Sequence, residues 1–154
     1  MAKKATTEDA HLILRLYELK REAELRKARN WWLADFWPSN ADDFLKVSYA
    51  AGTAENNWLR QVISYWAIAS SFVLEGVLHE DLFFKPAFSG EMFIVFGKVQ
   101  PFLGELREKL GDPNAFADIE KVIGRTKWSR ERMKFMLKRL EMWRGKMILK
   151  AAEK

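Results

Sequence analysis

The chain contains no cysteine. That absence removes disulfides, thiol nucleophiles and thiolate metal sites together. It also fits a reducing compartment, so the chain is expected in the cytoplasm. Histidine is nearly absent too, with only His11 and His79. A zincin-type HExxH is missing, as are glycine-rich phosphate loops and a nucleophile elbow around any serine. The segment Met1 to Asp9 (MAKKATTED) is polar and leads into no apolar stretch, so a secretory signal is not expected.

Long uncharged runs are scarce as well. The longest lies between Arg60 and Glu75, inside WLRQVISYWAIASSFVLEGVL from Trp58 to Leu78. Its length approaches a bilayer span, yet Asn57, Arg60, Gln61, Ser64, Ser70, Ser71 and Glu75 lie in or beside it. A buried core helix is the expectation, not a transmembrane one.

What is present is aromatic and helical. Seven Trp and eleven Phe within 154 residues suit one domain, residues 1–154, with an aromatic core, fraying only at 1–6 and 151–154. Charge is unevenly spread. Residues 1–30 are net +3, residues 31–124 net −6, and residues 125–154 net +8, with eleven Lys/Arg against three Asp/Glu. Such asymmetry marks either an anionic partner or basic terminal helices packed across an acidic middle.

Along the chain, Thr6 and Thr7 ahead of Glu8 and Asp9 start a helix. A helical pattern then runs to about Asp35, with polar surface dominating from about Glu24 until Trp31-Trp32, and predicts one long helix, although Glu18 and Glu22 repel at i,i+4. Trp37-Pro38 stops it, and Ser39 or Asn40 caps a short helix, Ala41 to Ala51. Gly52 separates that from the central helix, 54–76. A helical turn at LFFK stops at Pro86. A helix from Ser89 or Gly90 to Leu110 is expected to kink or divide at Pro101. Gly111-Asp112-Pro113 opens another, Pro113 to Ile123, and Thr126 or Ser129 caps the last. Strand alternation is absent. The pattern predicts an all-α, irregular bundle of five or six helices with long terminal helices and a buried central one.

Three blocks carry a resemblance: LYELKREAELRKARNWWLADFWPSNADDF, YWAIASSFVLEGVLHEDLFF and KVQPFLGELREKLGDPNAFADIEKVI. Together they resemble an uncharacterised bacterial family of small helical proteins, a domain of unknown function, over about residues 12–123. The marks are Gly76-Val77-Leu78 followed by Glu80-Asp81, and Leu106-Arg107-Glu108 before Asp112-Pro113. The resemblance implies the fold and carries over no activity, cofactor or active residue.

Two constellations remain. Glu75, His79, Glu80 and Asp81 cluster at the end of the central helix, where a buried carboxylate beside a histidine suits acid–base chemistry. The same residues also suit the first turn of the next helix. Glu8 and His11 have a di-iron spacing, but at the start of the chain where solvent reaches them. No metal, cofactor or catalytic set is therefore assigned.

The last helix has two apolar rows. Met133, Met136, Leu140, Trp143 and Met147 form one stripe, with Leu137 and Ile148 at its edge. Trp128, Phe135, Met142 and Leu149 recur every seven residues on the far side. Lys127, Lys134 and Lys138 flank that second row on one side; Arg132, Arg139, Lys146 and Lys150 flank it on the other. One stripe is enough to dock a helix on a core. The second is either core between two layers or a contact surface, for a copy of the chain, a protein partner, an anionic membrane or nucleic acid. The sequence reading is a non-enzymatic helical module acting by association, most of all with itself or a protein.

Overall fold

A computed structural model describes residues 3–154; Met1 and Ala2, part of the segment expected to fray, lie outside it. Among the described residues all regular structure is helical, in nine α-helices and one 3-10 turn rather than five or six helices. They are α1 (Thr7–Lys20), α2 (Ala23–Ala34), α3 (Ala41–Ser48), α4 (Ala54–Leu74), α5 (Glu80–Phe83), α6 (Pro86–Gly97), the 3-10 turn Gln100–Phe102, α7 (Leu103–Leu110), α8 (Ala117–Gly124) and α9 (Lys127–Ala152).

The larger count comes from two divisions and from the short helix α5. The first expected helix breaks into α1 and α2. Glu22 turns outward to accept from the Leu25 N–H at 2.9 Å and becomes the N-cap of α2. Its new role removes it from the i,i+4 conflict with Glu18. Pro101 divides the Gly90–Leu110 helix into α6, the 3-10 turn and α7. α6 itself begins earlier than expected, with Pro86 at its first turn, where the missing N–H costs nothing. α8 starts at Ala117 rather than Pro113, because Phe116 adopts a left-handed backbone (φ 61°) that places its ring against Phe44 and Phe96. Burial of that ring outweighs the strain.

The caps at Thr6, Asn40, Thr53 and Thr126 fall where the hydroxyl and amide side chains predict. α4 lies at the centre, packed against α2, α3 and α8. It buries Leu59, Val62, Trp66, Ala69 and Val73, spaced by three and four, and leaves Glu55, Arg60 and Ser64 in solvent. The densest burial lies elsewhere: from Met92 to Val99 every residue but Ile94 is buried.

Three helix ends are closed by side chains from distant elements instead of glycine. The last carbonyls of a helix have no intrahelical donor. Arg29 Nη1 donates to the Lys20 carbonyl of α1 at 3.1 Å. Asn56 Nδ2 donates to Val47 and Ser48 of α3 at 3.1 and 2.8 Å. Lys98, with no exposed surface, donates from Nζ to Trp32, to Leu33 at 3.2 Å and to Phe36 at 2.9 Å, closing α2. Its ammonium also lies 3.7 Å from the centre of the Trp37 ring. Burial, and after it the Arg144 guanidinium, push the Lys98 pKa down to about 7.

A second buried cluster joins α1, α2 and α6. Arg29 pairs with Glu91 through Nε, 3.0 Å from both carboxylate oxygens, and through Nη2 at 2.8 Å. Lys20 Nζ reaches Glu91 at 3.9 Å and donates to the Phe88 carbonyl at 3.2 Å. Burial lowers the Lys20 pKa, with Glu91 pulling it back up.

α9 crosses α6 at Gly97, where a Cβ would lie 2.5 Å from Leu140 Cδ1 and 2.9 Å from Met133 Cε. Gly97→Val is therefore expected to cost about 1–3 kcal/mol, since the backbone fixes the Cβ and the ends of Leu140 and Met133 must shift to admit it. Thermal unfolding reads this directly; an unchanged melting temperature would mean that the two helices part at no cost.

Candidate interaction surface

The polar cluster at the end of α4 divides, with Glu75 apart from His79, Glu80 and Asp81. Glu75 is exposed at the C-cap of α4, turned away from the recess of about 230 Å³ that holds Lys3, Asp9, His79, Glu80, Asp81 and Arg125. Within that recess each polar group closes a joint. Asp9 takes the His79 N–H at 2.7 Å and the Thr6 N–H at 2.8 Å. His79 Nδ1 accepts from the Asp81 N–H at 3.2 Å, capping α5, and its Nε2 meets the Lys3 carbonyl. Glu80 pairs with Arg125 between α8 and α9. These contacts tie the N-terminal segment to two helix starts. Among the described residues no group of three or more His, Asp or Glu could hold a metal ion.

α9 is placed by a capping box. Thr126 Oγ1 accepts from the Ser129 N–H at 3.0 Å, and the Thr126 N–H donates to Ser129 Oγ at 3.2 Å. The docking stripe then buries Met133, Met136 and Leu140 against α6 and α8. Trp143 is half-buried, and Arg144 Nη1 donates to the Pro38 carbonyl at 2.7 Å. Beyond Arg144 every residue is exposed. Met147 and Ile148, counted with the docking stripe by periodicity, are exposed rather than buried against the body.

The second apolar row faces solvent, with no second layer over it. Trp128 is 45% exposed, Phe135 47%, Met142 54% and Leu149 67%. Trp128 leans back on Phe84 and Phe93, ring centres 5.6 and 6.1 Å away, and borders a recess of about 520 Å³ with Lys85 and Pro86. Phe135 lies between two guanidiniums, Arg132 at 5.2 Å and Arg139 at 5.6 Å from its centre. Arg139 also covers Trp143 at 4.9 Å. Over its 26 residues α9 carries nine Lys/Arg against two Glu. Among the described residues its one ion pair is internal, Lys127 with Glu131 at 3.9 Å. The acidic middle of the chain therefore leaves this helix uncompensated. Lys138, Arg139 and Lys146, in no ion pair among the described residues, flank Phe135, Met142 and Leu149. Periodicity found this face; it missed Arg144 and Lys98, which anchor the loop beneath α9, because nothing near them in the chain marks them.

Among the described residues no helix is long and apolar enough to cross a membrane. A family model described as Domain of unknown function (DUF4760) matches residues 5–128, and the chain belongs to that family. The match extends beyond the resembling blocks at both ends and stops at the second residue of α9, so nearly all of the exposed row lies outside it. No curated protein and no solved structure matches the chain.

Proposed function

We propose that this DUF4760 protein works by association, without chemistry of its own, and that the outer face of α9 is its contact surface. The observation behind this reading is the row Trp128, Phe135, Met142 and Leu149, exposed on one helix face between uncompensated cations. A large side chain left in water costs about 1.5–3 kcal/mol relative to its buried state. Four of them in line give a partner a ready gain.

Two copies of this face are held apart by their own charge at low salt. At 1 M salt the screening length falls to about 3 Å, and the apolar rows are free to pair. Light scattering of the 18.0 kDa chain is therefore expected to show monomers in dilute buffer and oligomers at high salt. The triple variant Phe135→Glu, Met142→Glu, Leu149→Glu should keep its melting temperature within about 2 °C, because all three sites are exposed. It should also stay monomeric throughout. Oligomers undiminished in that variant would rule out this face as their contact, and no oligomers from the wild type at high salt would rule out pairing between copies.

A further inference from the structure

We infer that the outer face of α9, with its exposed last turns, docks on an anionic lipid surface. This rests on the association reading above and names its partner.

The pattern along the face carries the choice. Protein grooves that receive a helix read apolar anchors at i, i+3 or i+4, and i+7. Here the apolar residues come only every seven, about 10 Å apart along the axis. The positions between them hold Glu131 and Arg132, Lys138 and Arg139, then Gly145 and Lys146. A second α9 laid on this row would set cations against cations, and an aliphatic groove would bury them unpaired. A layer of anionic headgroups over acyl chains meets both needs at once. The cations stay at headgroup depth on long stems while the apolar side chains reach between them.

The end of the helix points the same way. Met147, Ile148 and Leu149 are consecutive and exposed, so they project over most of the helix circumference. A groove covers one side of a helix; acyl chains close around a wider arc. Lys146 and Lys150 lie in the same exposed stretch. Nucleic acid would engage the cations and leave Phe135, Met142 and Leu149 in water.

Sedimentation of the full chain with vesicles tests this. Vesicles of 70% phosphatidylcholine and 30% phosphatidylglycerol should bind it, and pure phosphatidylcholine should bind it far more weakly. Changing Lys134, Lys138 and Lys146 to Gln should weaken partitioning by about 100-fold, from roughly a fivefold loss per cation near the surface. The Phe135→Glu, Met142→Glu, Leu149→Glu variant should weaken it by at least tenfold while keeping its helical circular dichroism. No binding to anionic vesicles would overturn the proposal, and salt-driven oligomers in that case would leave the association reading standing. Vesicle binding untouched by the apolar variant, or tighter binding to duplex DNA than to vesicles, would overturn it as well.

Discussion

Lys98→Met lowers the melting temperature by about 6–12 °C at pH 7, the equivalent of ~3 kcal/mol in a chain of this size. The methionine fills the space of the lysine stem but donates nothing. The carbonyls of Trp32, Leu33 and Phe36 then end α2 without donors, inside the core. Each unmatched carbonyl costs about 1–3 kcal/mol, partly offset because a cation no longer has to be buried. The pH dependence separates the two contributions. The folded pKa, about 7, lies below the 10.5 of the free side chain. Between these values the unfolded chain holds a proton that the folded chain has released, so wild-type stability rises with pH across that window. The gap between wild type and Lys98→Met should therefore widen by more than ~1 kcal/mol from pH 7 to pH 9. Urea unfolding at the two pH values measures it. A gap that stays constant would mean that the three carbonyls hold the ammonium charged.

The second large effect is expected at Glu91. Its carboxylate is the counter-charge for both Arg29 and Lys20, and the side chains of Glu91 and Lys20 are 9% and 7% exposed. Glu91→Gln keeps the shape and removes the charge, leaving two cations facing each other in the interior. Breaking a buried pair in this way costs about 3–5 kcal/mol. Adding Lys20→Met to that variant should return part of the loss, because one stranded cation disappears. Denaturant unfolding of the four chains in that cycle gives the coupling. If the double variant lost the plain sum of the two single effects, the three residues would not form one network.

These two sites show where sequence reading stops. Helix starts were legible because a cap acts on its own first turn: Thr6 on Asp9, Asn40 on Asp43, Thr126 on Ser129. Helix ends were legible where glycine supplied them, as at Gly76 and Gly111, and where Trp37-Pro38 stopped the helix after Asp35. The end of α1 depends on Arg29, nine residues away, and the end of α2 on Lys98, more than sixty away. No local pattern records such a donor. The break after Lys20 left one trace, the Glu18–Glu22 repulsion, which was too weak to read as a helix boundary without the tertiary contacts. The exposed row on α9 was legible because it is periodic. Whether it was covered depended on the absence of a second layer, which only the arrangement of the other helices decides. His79 and its acidic neighbours were legible as a cluster but not as a joint, since Lys3 and Asp9 come from the far end of the chain.

The exposed last turns of α9 have a kinetic consequence. A peptide of its length in isolation spends little time helical, since starting a helix fixes several residues for one hydrogen bond. Here the turns anchored from Thr126 to Arg144 already supply the nucleus, and the last residues only propagate it. Gly145 sits at the exit from the body and weakens that propagation by about 1 kcal/mol relative to alanine. Helix–coil exchange of these last turns is therefore expected on the sub-microsecond scale. A surface that captures it meets a segment with its direction already set, and only the final two turns remain to be ordered.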